Sequence, residues 1–125
     1  MIKHKNIILV GMAGAGKSTL GVLAAKALGM DFVDTDIIIQ NTTGSLLQEI
    51  LEEQGISAFL QVEEDVLSRV SIKNSVVATG GSAVYSEKAM LALKQQGTIL
   101  YLSLPFDEIQ KRVTNIESRG IVLKQ

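Results

Sequence analysis

The sequence predicts an α/β protein: a parallel sheet with helices on both faces, in three α/β/α layers. Two observations carry that expectation. Short apolar runs suited to buried strands recur at Ile7–Val10, Asp31–Val33, Ser75–Thr79 and Thr98–Leu102. Between them lie stretches whose apolar residues repeat with a helical period, closed by Gly29, Gly55 and Gly97. A chain of 125 residues buries roughly two thirds of its unfolded surface, enough for one core, so residues 1–125 are expected to form a single domain.

The first run, Asn6-Ile7-Ile8-Leu9-Val10, is apolar from Ile7 on and rich in β-branched residues, which suits a central strand buried on both faces. It leads into Gly11-Met12-Ala13-Gly14-Ala15-Gly16-Lys17-Ser18, a match to the phosphate-binding pattern G-x-x-x-x-G-K-[ST]. The Ala- and Leu-rich stretch from Lys17 to Leu28 supplies the helix that such a loop needs behind it. Glycines 11, 14 and 16 let successive N–H groups turn inward around an anion at the positive end of that helix. Lys17 would reach the β and γ phosphates of a nucleoside triphosphate, and the Ser18 hydroxyl would sit on Mg²⁺.

The second run ends in Asp34-Thr35-Asp36. In extended chain, two carboxylates at i and i+2 point to the same side, here into the cleft beyond the strand ends where the phosphate loop also lies. One could hold Mg²⁺ and the other accept a proton from an attacking hydroxyl. Alternatively, Asp36 caps a short helix over Ile37–Gln40. Further on, Ser45-Leu46-Leu47-Gln48 has the form of a capping box for a helix ending at Gly55. Ser57 could cap a second helix, with Phe59, Val62, Val66 and Val70 on one face.

The third run closes on Thr79-Gly80-Gly81-Ser82, where paired glycines would admit a ligand close to the backbone. Ser86 opens a helix that closes at Gly97, ahead of the fourth run, which would form an uncovered sheet edge. Pro105 then leads into an expected helix, Phe106–Val113. Thr114–Gln125 has no clear helical face and is expected to be a lid or frayed tail, mobile without nucleotide. Arg112 and Arg119, seven residues apart, are either phosphate clamps or solvated charges.

A formal net charge of −1 and dispersed basic residues give no surface for nucleic acid. Zero cysteines and one histidine exclude disulfides and thiolate metal sites, leaving carboxylate-bound Mg²⁺ as the metal option. The apolar run at Ile7–Val10 is too short for a membrane span, and a cytoplasmic monomer is expected.

Taken in order, several motifs resemble shikimate kinase. They are Gly-x-x-Gly-x-Gly-Lys-Ser-Thr at 11–19, Phe-x-Asp-Thr-Asp at 32–36, Thr-Gly at 43–44, Phe-x-x-x-Glu at 59–63 and Gly-Gly after the third strand. The resemblance implies the P-loop kinase fold of nucleoside-monophosphate kinases, with ATP, Mg²⁺ and phosphoryl transfer to a ring hydroxyl of shikimate. It implies an ATP site at Gly11, Gly14, Ala15, Gly16, Lys17, Ser18, Thr19, Arg112 and Arg119, with Lys17, Asp36 and Arg119 catalytic. Ser18 and Asp34 would hold the metal, Asp34 through water, while Asp36, Gly80 and Gly81 would bind shikimate. Residues 112–125 would be the lid, with Arg112 against adenine and Arg119 against phosphate. The chain departs from the family at Leu60, where an arginine for the substrate carboxylate is usual, and at Ser82, usually a third glycine. A second such arginine, a last strand and a last helix would fall beyond Gln125.

Overall fold

The computed structural model describes residues 5–11 and 16–102. In chain order the elements are β1 (Asn6–Gly11), α1 (Lys17–Leu28), β2 (Asp31–Asp34), α2 (Thr35–Thr43), α3 (Leu47–Arg69), β3 (Ser75–Ala78), α4 (Glu87–Gln96) and β4 (Gly97–Leu102). A single 3₁₀ turn, Ala83–Tyr85, precedes α4. The strands pair in the order β2-β3-β1-β4, every pair parallel. β1 is therefore interior, as its unbroken apolar sequence requires.

Alternation along β1 divides the core between the two faces. Ile8 and Val10 join Val77 and, from the helices, Leu67, Ala89 and Leu93, while Leu9 joins Val76 with Ala25 and Met30. Helices thus cover both faces, giving the three layers. A third cluster, Ile39, Ile50 and Phe59, packs α2 against both halves of α3. Asn6, only 3% exposed, fastens the start of β1. Its amide donates to the Ile72 carbonyl at 2.7 Å and the Gln96 carbonyl at 3.1 Å, and its carbonyl oxygen accepts from Ser75 N at 2.9 Å. Among the described strands β2 and β4 form the two edges of the sheet, with Leu100 and Tyr101 of β4 exposed.

The structure corrects four local expectations. α2 begins at Thr35, so Asp36 lies in helix and the cap is Asp34, whose Oδ1 accepts from Asp36 N at 2.9 Å. The cap of α3 is one residue later than the Ser45 pattern: Glu49 Oε1 reaches back to Leu46 N at 2.9 Å, and Ser45 N instead donates to Thr43 Oγ1. Ser57 makes no capping bond among the described residues; the break is made by Gly55, at φ 86°, ψ 173°, inside a helical run that otherwise continues to Arg69. The most buried stripe beyond the break is Phe59, Glu63 and Leu67, one step round from the expected Phe59, Val62 and Val66. A charged residue at the centre of that stripe masks it in a count of apolar positions. The Ser86 cap is as expected, its Oγ accepting from Ala89 N at 3.1 Å.

Candidate active site

Gly11 ends β1 and Gly16 is the N-cap of α1, held at φ 84°, a left-handed conformation that favours glycine. Lys17 opens the helix, with Ser18 and Thr19 exposed beside it. Lys17 is only 7% exposed and its Nζ donates to the Gly11 carbonyl at 2.7 Å. Its stem is therefore packed. Burial lowers its pKa, opposed by the negative charge of Asp36. The ammonium and the Asp36 carboxylate thus face a shared space beyond the strand ends.

Asp34 and Asp36 come together even though α2 starts between them. Burial raises the pKa of Asp36 first, the charge of Asp34 adds to it, and Lys17 opposes both. A carboxylate so placed is a better proton acceptor than a solvated aspartate. Behind it lies Gly80, where a Cβ would stand 2.9 Å from Asp36 Oδ1 and 3.3 Å from Glu63 Oε2. A side chain there would displace one or both carboxylates. Thr79 anchors the start of this segment, its Oγ1 donating to the Leu9 carbonyl at 2.8 Å.

Glu63 is 1% exposed, with Oε1 accepting from Ser82 Oγ at 2.7 Å and Oε2 without a donor among the described residues. Burial raises its pKa, the Ser82 bond works against this, and Asp36 adds to it. Among the described residues no three His, Cys, Asp or Glu side chains group as a metal cage. Mg²⁺ suits such a site nonetheless, because it takes one or two protein oxygens and completes its shell with water and phosphate.

Residues 13–125 match the family model described as shikimate kinase. The chain belongs to the shikimate kinase family. It is 39% identical over 118 residues to the shikimate kinase of Synechococcus elongatus, covering 94% of this chain and 62% of that protein. To the shikimate kinase of Thermodesulfovibrio yellowstonii it is 38% identical over 119 residues, covering 94% and 69% respectively. Among solved structures, a shikimate kinase from Acinetobacter baumannii in complex with shikimate superposes with a TM-score of 0.76 at 37% identity, covering 98% of this chain and 68% of that one. The shikimate kinase of Aquifex aeolicus gives 0.71 at 30% identity, covering 95% and 82%. The chain thus spans 62% of the length of its cyanobacterial relative.

For this shikimate kinase family member, the structure brings Lys17, Asp34, Asp36 and Gly80 to one end of the sheet. Gly81 follows in the turn before the 3₁₀ segment. Gly14, Ala15, Arg112, Arg119 and the expected lid and Phe106–Val113 helix lie outside the described residues. Glu63 was given no role by the sequence beyond its place in a family motif. The signal was there, since Glu63 is four residues from both Phe59 and Leu67 and so shares their face. Leu60 packs against the Ile39, Ile50 and Phe59 cluster and lines a pocket with Glu63 and Ser82.

Proposed function

We propose that this chain transfers the γ-phosphoryl group of ATP to a hydroxyl of a small hydroxylated metabolite, shikimate being the first candidate from its relatives. The observation that carries this is the placement of Lys17 and Asp36 close enough to act on each other's ionisation, at the sheet end where the phosphate pattern begins. Lys17 neutralises charge developing between the β and γ phosphates. Gly11, Gly14, Ala15, Gly16, Ser18 and Thr19 bind the triphosphate, and Arg112 and Arg119 close on adenine and phosphate. Ser18 and Asp34 hold Mg²⁺, which when bound supplies charge neutralisation on the phosphates. Asp36 orients the acceptor hydroxyl and takes its proton, its carboxylate made more basic by burial and by Asp34. Gly80 and Gly81 leave room for the acceptor against the backbone.

The same proposal takes the protein to be a cytoplasmic, single-domain monomer, the single domain supported by the one sheet that all four described strands share. No helix among the described residues is long and apolar enough to cross a membrane. The test is transfer of label from γ-labelled ATP to shikimate, followed by chromatography of the product. Label appearing on the acceptor supports the proposal; label released only as inorganic phosphate defeats it.

A further inference from the structure

The segment between β3 and α4 carries Gly80 and Gly81, which have no side chain to hold their backbone in place. Glycine loses more conformational freedom on ordering than any other residue, so such a span is held by what flanks it. On the near side the anchor is Thr79, whose N and Oγ1 both donate to the Leu9 carbonyl, at 3.2 and 2.8 Å. On the far side it is Ser82. Its Oγ donates to Glu63 Oε1 at 2.7 Å, a bond that ties the turn to α3. Within the turn, Ala83 N donates to the Gly80 carbonyl at 3.2 Å, so a displacement of Ser82 is carried directly into Gly80 and Gly81.

The same bond fixes Glu63. A long side chain has many rotamers unless a partner selects one, and here Ser82 makes the selection. With Oε1 taken by Ser82, Oε2 is set 3.3 Å from where a Cβ on Gly80 would stand, and Asp36 Oδ1 lies 2.9 Å from that same point. Glu63 of α3 and Asp36 of α2 thus flank one backbone position. A second bond of the same kind, from Ser86 Oγ to Glu64 Oε2 at 2.6 Å, ties the start of α4 to the next residue of α3. That bond keeps the rest of the segment in place, so loss of the Ser82 hydroxyl would free only Glu63 and the Gly80–Gly81 turn. We infer that Ser82 is a positioning residue for the acceptor: through Glu63, its hydroxyl sets the Gly80–Gly81 backbone and the facing Asp36 carboxylate in the arrangement that receives the acceptor. The inference rests on the phosphoryl transfer proposed above and adds to it a residue at which this chain departs from its family.

Calorimetric titration of shikimate into the protein saturated with Mg²⁺ and ADP reads the acceptor side, and titration of ADP alone reads the nucleotide side. Ser82→Ala is expected to weaken shikimate binding by about tenfold while ADP affinity stays within about twofold. Ser82→Thr, which keeps the hydroxyl, should hold shikimate within about threefold of the parent. Glu63→Gln, which keeps an oxygen able to accept from Ser82, should do the same. In a Glu63→Ala background, Ser82→Ala should add no further loss, because its partner is already gone. Thermal melting reports whether each variant folds. A lowered midpoint in Ser82→Ala with shikimate affinity unchanged overturns the inference, as do equal losses of shikimate and ADP affinity or a parent that binds no shikimate. Failure of the phosphoryl-transfer proposal looks different: shikimate affinity would still follow the Ser82 hydroxyl while label from ATP never reached shikimate.

Discussion

Glu63 is buried on the face of α3 that also buries Phe59 and Leu67, with one oxygen lacking a donor among the described residues, so ionisation is the costly state of this side chain. Its folded pKa is raised above the ordinary 4.5, chiefly by burial. The folded protein therefore holds this proton more tightly than the unfolded chain does. The stability it contributes is complete below the ordinary carboxylate range and is lost as pH rises through the raised folded value. Asp36 acts in the same direction. Glu63→Gln should thus flatten the decline in stability between mildly acidic and neutral pH, and stabilise the protein at neutral pH by about 1 kcal/mol. Denaturant melts across that range check this; a variant less stable than its parent at neutral pH would show that the ionised carboxylate has a stabilising partner. Gly80→Ala probes the other side of the same contact. Its Cβ would force back Asp36 or Glu63, so KM for the acceptor should rise several-fold while nucleotide affinity stays within about twofold. Steady-state kinetics with each substrate varied in turn separate the two effects.

Among the elements, α3 shows how a local backbone choice places a buried stripe that carries Glu63. Gly55 sits at φ 86°, ψ 173°, a region almost closed to other residues, and re-aims the helix so that Phe59, Glu63 and Leu67 face inward. Nothing lies within 4 Å of a Cβ built there, so the position is constrained by conformation and not by space. Gly55→Ala should cost about 1–3 kcal/mol, read as a lowered midpoint in thermal unfolding; an unchanged midpoint would mean that the break is not required. The sequence announced this break through its glycine, and the cap of α4 through Ser86. It did not disclose that Asp34 caps α2, because an aspartate at a strand end serves a cap and a metal ligand equally well. The inward turn of Glu63 was carried only by its spacing of four from Phe59 and Leu67, which apolar periodicity passes over because it counts a carboxylate as a surface residue.

Across the whole molecule, what was legible is what a parallel sheet requires. A strand buried on both faces is largely apolar, so Ile7–Val10 identified the interior strand, and four apolar runs spaced by helical stretches indicated the layers. That Lys17 and the aspartate pair gather at one end of the sheet was legible for the same reason, since the phosphate pattern and the aspartate pair each follow a strand. Long-range polar fastenings were not, because nothing in the local sequence of Asn6 points to Ile72, Ser75 or Gln96. The pairing of Glu63 with Ser82 likewise joins residues nineteen apart that only the fold brings together.

The central claim is that Lys17 and Asp36 work on one phosphoryl group and one acceptor hydroxyl. It is tested most directly by acceptor-dependent release of ADP from the parent and from Lys17→Met, which keeps much of the buried stem of Lys17 and removes its charge. The parent should release ADP faster with shikimate present than with ATP alone, and Lys17→Met should lose that increment by at least about a hundredfold at a nearly unchanged melting temperature. ADP release indifferent to any acceptor, or an increment that survives within tenfold in Lys17→Met, would contradict the account.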